Sequence, residues 1–587
     1  MRASIRLAAS ALALVLASNV FTLAQSSIRN GEVVKGDGAG RVDSYLSRLV
    51  PYGFSGAVLI AKDGQVVLKR AYGMANRETT LPYDVSMVSC IGSVTKQFTG
   101  AAIMKLEMMG KLTTGDLISK YLPGVPADKA GITLHQLLTH TSGISGDLGG
   151  MDEEPITREA LVTKVLAAPL AASPGRQFEY SNENFSLAAA IVERVSGQGY
   201  ETFMRDQLFL PLGMKDTGYQ APNWPLERLP IGYRPDGRPW GRTYKNGWLA
   251  DGPGWYLRGN GGVHSTLDDL YRWHLALEKP GVLSADALKK YLTGYAPTPI
   301  GEKYAYGWGV QTTRRGTTVI AHNGGNGFLF TDFRRYVDEK VVVIAMTNEP
   351  VIPAPQLAPR QIESLFFGGG PEVVMPPVAV NVSAADRDRT VGTFALDGGS
   401  DVTLTASGSG ITATSSNVTM FGGLPGLTPP GGRRADLEKK TMAILEEASK
   451  DNFKPIFEAF NDDRAFELVQ GNQRRFWAGW RAELGEFTRF ELLGVAPVQG
   501  DPAVTVRAEF ARGSKILQLI WGPRRLAGFM TPDAGSAVTL TPESTTTWSY
   551  FAYSAPSVIR ITVDGDAITV ANGASLVQGK RRAAKRP

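Results

Sequence analysis

The chain has 587 residues, 43% of them apolar and 20% charged, with 66 glycines. At about 100 to 200 residues per domain this length makes three or four globular units, and the composition excludes a disordered, collagen-like or coiled-coil chain. The formal charge of +6 gathers at the two ends, in Arg2 and Arg6 and in Lys580, Arg581, Arg582, Lys585 and Arg586, so the body between is nearly neutral and offers no basic face for nucleic acid.

In chain order, Arg2 and Arg6 precede an apolar run at 7–17, and small residues around Thr22 and Ala24 suit a cleavable bond. This pattern predicts a secretory signal peptide over 1–24 and a periplasmic or secreted protein. No later stretch reaches the roughly 18 apolar residues of a membrane span. Cys90 is the only cysteine, which excludes an intrachain disulfide and lipid attachment at a cleavage-site cysteine; it reads as a buried thiol. Residues 56–60 and 65–68 predict neighbouring strands around the Lys62-Asp63-Gly64 turn. Residues 94–112 predict a helix with an apolar stripe through Phe98, Ile103, Leu106 and Met109, closed by Gly110. A second apolar helix is expected at 187–195 and a buried strand at 341–347. Gly368, Gly369, Gly370 and Pro371 end a first domain over 38–370, with a linker at 371–387. A β segment at 388–425, an α+β module at 434–532, a second β segment at 536–579 and a disordered basic tail at 580–587 complete the division. Within the module, Val504, Val506, Ala508 and Phe510 alternate with polar residues as in a half-buried strand. Phe476, Trp477 and Trp480 form an aromatic stripe that reads as core.

The chemistry centres on Ser93-Val94-Thr95-Lys96, directly after Gly92 and at the expected start of a helix. Three residues along a helix place Ser93 and Lys96 on one face. A serine hydroxyl is a poor nucleophile until a neighbour takes its proton, and lysine can do so once desolvation lowers its pKa. Alone this tetrapeptide is weak, because serine and lysine are common surface residues. Two further elements follow it in order: Phe178-Glu179-Tyr180-Ser181-Asn182 before the apolar helix, and Ala321-His322-Asn323-Gly324-Gly325 after Val319 and Ile320.

Together Ser-x-x-Lys, Tyr-x-Asn and His-x-Gly resemble the three motifs of the penicillin-recognising serine hydrolases: class C β-lactamases, D-alanyl-D-alanine carboxypeptidases, D-aminopeptidases and related esterases. Stretches at 133–143, 211–214, 261–273 and 306–309 fit the same family. The resemblance implies an α+β catalytic domain, with a mainly antiparallel sheet flanked by helices, an all-helical lobe, and the site between them. It implies Ser93 as the acylated nucleophile, Lys96 as its proton partner and Tyr180 as a proton carrier, with the base either Lys96 or Tyr180. Asn182 would bind the substrate amide, His322 a substrate carboxylate, and the backbone N–H groups of Ser93 and Gly325, beside Gly324, an oxyanion. His322 stands where many β-lactamases carry lysine, and Asn323 where threonine is frequent, which leaves room for esters and other amides. At its ordinary pKa of about 6.5, His322 would hold a carboxylate only when protonated.

The implied function is an exported serine hydrolase acting on a small-molecule or peptide amide or ester without cofactor. The alternative is a penicillin-binding sensor or scaffold that acylates without turnover. No His-Glu-x-x-His pattern points to a metal and no Gly-x-Ser-x-Gly elbow to an α/β-hydrolase. His140, in Leu-Thr-His-Thr-Ser-Gly, reads as a hydrogen-bonded loop anchor rather than a base, and Trp308 as either cleft or core. Residues 434–532 resemble the cone-shaped α+β fold of the nuclear transport factor 2 superfamily. The β segments on either side are suited to be two halves of one barrel.

Overall fold

The computed structural model describes residue 29 and residues 31–583, apart from 147–149, 235–236, 398, 409, 416–419, 422–427, 429, 433, 461–465, 499–500, 523–525, 531–536, 554–556 and 574. The expected signal peptide lies outside the described residues.

A nine-stranded sheet organises the first part of the chain. Its order is Val33–Val34, Gln65–Tyr72, Gly56–Lys62, Val341–Thr347, Phe330–Tyr336, Thr318–Gly325, Gly309–Thr312, Lys303–Tyr304 and Ala296–Pro297, every neighbour antiparallel. The expected buried strand at 341–347 is apolar from Val341 to Met346 because both faces of the sheet are covered. Val342, Ile344 and Met346 join one core while Val341, Val343 and Ala345 join another, the alternation that a pleated strand imposes. The first core contains the helices Thr95–Met108 and Asn182–Ser196 and the rest of the helical lobe. The second is closed by the amphipathic helix Asp37–Leu49, through Val42, Tyr45, Leu46 and Leu49, and by helical residues Leu357 and Ile362.

The helix expected at 94–112 runs from Thr95 to Met108 and is buried around its whole first three turns, polar Thr95, Lys96, Gln97 and Thr99 included. It is thus a central element packed on all sides rather than a one-sided amphipathic one, and Met109 lies outside its core face, 40% exposed. The second helix begins at Asn182, earlier than apolar periodicity indicates, and ends at left-handed Gly197.

The two β segments beyond the catalytic domain close into one eight-stranded barrel, built from the strands Gly392–Leu396, Asp401–Ser407, Gly410–Ser415, Ala537–Pro542, Thr547–Ala552, Ser557–Asp564, Ala567–Asn572 and Ser575–Arg581. Short of Gly392 the expected linker carries a helix, Ala384–Thr390. Between the third and fourth barrel strands sits the inserted module: helices Ala435–Ala448, Lys454–Phe460 and Phe466–Leu484, then four antiparallel strands in sequence order. Trp477, Trp480, Val504, Val506, Leu517 and Trp521 form its core. Phe476, expected in the same stripe, turns outward and is 46% exposed, stacked on Trp480. Lys580 and Arg581, expected in a disordered basic tail, are instead paired in the last barrel strand, and the end of that tail, 584–587, lies outside the described residues. Arg581 lies over the Phe394 ring and Arg582 pairs with Asp401 at 2.7 Å.

The barrel is packed into the catalytic domain. Phe551 and Tyr553 are buried in the second core. The Tyr553 hydroxyl donates to Gln361 Oε1 at 3.1 Å, the Thr541 hydroxyl donates to the Pro51 carbonyl at 3.1 Å, and the Tyr52 and Ser549 hydroxyls are 2.7 Å apart. Removing the Phe551 ring by Phe551→Ala should therefore destabilise the catalytic domain as well as the barrel, by about 3 to 5 kcal/mol. Differential scanning calorimetry checks this. A catalytic-domain transition at the wild-type temperature would show that the barrel contributes nothing to it.

Candidate active site

Ser93 lies in a single 3-10 turn, Gly92–Val94, that runs into the helix Thr95–Met108. The turn is wedged against the end of strand Thr318–Gly325. A Cβ on Gly92 would stand 2.4 Å from the Gly325 nitrogen, and one on Gly324 would stand 2.1 Å from the Ile91 carbonyl oxygen, so both positions require glycine. Gly92 also has φ +50°, a left-handed backbone that a side chain would strain. This close approach brings the backbone nitrogens of Ser93 and Gly325 to one cleft, an enclosed space of about 50 Å³ that Asn182 and Asn260 also line.

Lys96 is fully buried one turn below Ser93. Its Nζ is 3.0 Å from Ser93 Oγ, 2.7 Å from Asn182 Oδ1 and 2.9 Å from the Asn260 carbonyl oxygen. Burial lowers its pKa to about 7, against a smaller opposing pull from Asp152 and Glu183. Asn182, the first residue of its helix, meets Lys96 through its carbonyl oxygen, which leaves its NH₂ for the cleft. The Tyr180 hydroxyl is in hydrogen-bonding reach of Ser93, and burial pushes the phenol well above its ordinary pKa. The other side of the residue is open to solvent, 39% exposed. Lys96 Nζ stands 4.8 Å from the centre of the Tyr180 ring.

Ser93, Lys96, Tyr180, Asn182, Gly324 and Gly325 thus come together. His322 lies beside them in a different state from the one its ordinary pKa implies. Its Nδ1 is 2.6 Å from the Asn323 carbonyl oxygen, which only accepts, so Nδ1 carries the hydrogen. Its Nε2 is 2.8 Å from the Tyr304 hydroxyl, which donates to it. Burial, reinforced by Lys96, lowers the pKa to about 3. Both ring nitrogens of His322 are thus engaged by the protein, and burial favours the neutral ring.

Three participants escape sequence reasoning. The Asn260 carbonyl holds Lys96 from a Gly-Asn-Gly-Gly run, while the Asn260 side chain donates to Ser186 Oγ and the Tyr256 carbonyl. The three glycines around Asn260 (Gly259, Gly261 and Gly262) were the available signal. Tyr304 saturates His322 from the next strand but one. Asp152 lines the cleft with Glu153, and burial raises its pKa. Cys90 is buried at the cleft wall, its thiol pKa raised by burial. Trp308 is core, packed on Phe333 and Tyr291. Among the described residues no group of three or more His, Cys, Asp or Glu is placed to hold a metal, and no helix is long and apolar enough to cross a membrane.

A Beta-lactamase family model matches residues 42–365, the span that contains every residue of this cleft. The chain belongs to the Beta-lactamase family. Among its curated relatives, "Penicillin-binding protein 4*" of Bacillus subtilis is 27% identical over 60% of this chain and 82% of its own length. "Putative penicillin-binding protein PbpX" of the same organism is 31% identical over 46% of this chain, which spans 64% of that relative. A solved structure of an octameric penicillin-binding protein homologue from Pyrococcus abyssi aligns over 92% of this chain and 99% of its own, with TM-score 0.51 and 19% identity. That likeness concerns the fold alone. The alignment reaches beyond residue 365, into the region that carries the barrel.

The state of His322 is directly measurable. In a ring-resonance titration followed by NMR, His322 should remain neutral throughout about pH 5 to 8, because its folded pKa lies far below the ordinary 6.5. A midpoint close to 6.5 would show that burial beside Lys96 does not hold it neutral.

Proposed function

We propose that this Beta-lactamase family member is an exported serine hydrolase that cleaves an ester or amide through an acyl-enzyme on Ser93. The observation that carries the reading is the Lys96 amine, buried with a pKa lowered to about 7 and held 3.0 Å from Ser93 Oγ. A neutral amine has two N–H donors and one lone pair. Asn182 Oδ1 and the Asn260 carbonyl take the two donors, and the lone pair remains for the Ser93 hydroxyl. Lys96 is therefore the base in this reading, and Tyr180, whose phenol keeps its proton, is the acid.

As Ser93 Oγ bonds to the substrate carbonyl carbon, its proton passes to Lys96. The oxyanion lies against the Ser93 and Gly325 N–H groups, an interaction whose loss typically costs about 2.7 to 4 kcal/mol. The bond to the leaving group breaks as Tyr180 supplies a proton, which it recovers from Lys96. Water then attacks the acyl-enzyme, giving up its proton to the base, and Ser93 leaves with a proton restored.

Two features favour neutral or amine-bearing substrates over carboxylates. His322 offers no cation, and the cleft carries the acidic Asp152 and Glu153. Neutral esters thus fit better than D-alanyl-D-alanine peptides or β-lactams. The signal peptide pattern at 1–24 supports export. In the same reading residues 434–532 are a nuclear transport factor 2-like module, supported by three helices leading into an antiparallel sheet around Trp477.

Ser93→Ala should lower kcat on p-nitrophenyl esters by several orders of magnitude with an unchanged melting profile, and residual activity within about tenfold of wild type would remove the assignment. Steady turnover after an initial burst is expected, whereas a stoichiometric burst without turnover would favour a sensor. The base assignment predicts that kcat/KM rises with pH through about 7, as Lys96 loses its proton. Lys96→Arg keeps its charge at all working pH values and should lower kcat/KM at least about 100-fold. A wild-type profile that is flat from pH 6 to 8 would exclude Lys96 as the titrating base.

A further inference from the structure

His140 takes no part in the proton transfers above, yet its surroundings are unusual for a loop residue. It is fully buried, and at φ +56° it occupies the left-handed backbone region that residues with a side chain seldom adopt. Such a conformation persists only where the surroundings impose it, and it collects at functional sites. At His140 the imposed geometry has a visible product. The His140 carbonyl accepts the Glu179 N–H at 2.7 Å, and the His140 ring accepts the Ser181 N–H on Nδ1 at 3.1 Å. Those two bonds fasten the chain immediately before and immediately after Tyr180.

The ring bond also fixes the tautomer. A backbone N–H only donates, so Nδ1 carries no hydrogen and the imidazole is neutral with its hydrogen on Nε2. Asn184 Nδ2 stands 3.5 Å from the same Nδ1, while Asn184 Oδ1 accepts the Ser142 hydroxyl at 2.6 Å. Nε2 itself has no polar partner. The imidazole is instead enclosed by aromatic rings, with centroids 4.4 Å from Tyr180, 4.7 Å from Tyr304 and 5.1 Å from Phe185. The Tyr180 ring leans on it at an interplanar angle of 34°. Backbone on both sides of Tyr180 and the face of its ring are therefore all set by one residue.

We propose that His140 is a positioning residue for Tyr180, setting the angle at which the phenol hydroxyl meets Ser93 and the leaving group. The proposal rests on the acyl-enzyme reading, in which Tyr180 supplies the leaving-group proton. A loop anchor needed only for folding would lower all activities in proportion to the folded fraction. A residue that aims a proton donor acts selectively, because an alkoxide needs that proton and a p-nitrophenolate hardly does.

The test compares wild type, Tyr180→Phe, His140→Gly and His140→Asn as full chains, on a p-nitrophenyl ester and an alkyl ester of the same acid. Rates are counted per Ser93 labelled by a fluorophosphonate, which removes the contribution of unfolded protein. Glycine tolerates the left-handed backbone but lacks the acceptor, whereas asparagine tolerates it and offers Oδ1 to the Ser181 N–H. His140→Gly should lose at least about tenfold more kcat on the alkyl ester than on the p-nitrophenyl ester, in the same direction as Tyr180→Phe, with KM little changed. His140→Asn should return the alkyl-ester kcat to within about threefold of wild type. Equal losses on both esters for His140→Gly, beside a selective loss for Tyr180→Phe, would overturn the proposal. An unselective Tyr180→Phe would overturn the role of Tyr180 itself, and with it the ground on which the His140 proposal stands.

Discussion

Everything around the cleft serves the burial of one amine. An ammonium taken out of water without compensation is so unfavourable that the group releases its proton instead, and the pKa of Lys96 falls to about 7. Three neighbours then share the amine: Ser93 from the turn that leads into its helix, Asn182 from the second helix and the Asn260 carbonyl from a distant loop. Because these come from three separate parts of the chain, the amine is correctly placed only after the helical lobe has closed on the sheet. The polar residues Gln97 and Thr99, buried on the same helix, show the same demand, since a helix enclosed on every side must satisfy its polar groups internally.

The other half of the cleft depends on backbone rather than side chains. The strand Thr318–Gly325 approaches the Ser93 turn so closely that a methyl group at Gly92 or Gly324 would overlap main-chain atoms. That strand is held by its antiparallel neighbours Gly309–Thr312 and Phe330–Tyr336, and the sheet is held by the apolar cores on its two faces. Phe551 and Tyr553 extend the dependence to the barrel, because they complete the core on the face away from the helical lobe.

Local signals in the sequence reached far for Ser93, Lys96, Tyr180 and Asn182, because each sits in a short motif tied to the start of a helix. The two-faced burial of 341–347 and the pairing of the flanking β segments into a barrel were legible for the same reason: periodicity and composition carry them. What escaped are contacts made across the fold. Asn260 acts through a backbone carbonyl, which no residue type announces, and Tyr304 matters only because it lies 2.8 Å from His322. Met109 and Phe476 fit an apolar helical period yet point outward, since periodicity gives a face but not its limits. His322 was the most consequential case. Its ordinary pKa suggested a switch near neutrality, and burial beside Lys96 removes that switch.

The same logic assigns opposite proton roles to two neighbours in one cleft. Burial disfavours the charged form of any group, so it drives a lysine down and a tyrosine up. Lys96 and Tyr180 both show the direction expected, and above about pH 7 their pairing is amine beside phenol rather than ammonium beside phenolate. An amine can take a proton and a phenol can give one, so in the proposed reaction a single physical cause supplies both a base and an acid within reach of Ser93. A charged His322 would disturb that balance, because a second cation near Lys96 would lower the lysine further. The repulsion acts equally on His322, whose own pKa is lowered in part by Lys96. Burial, with Lys96 beside it, keeps His322 neutral, so no second cation bears on the lysine.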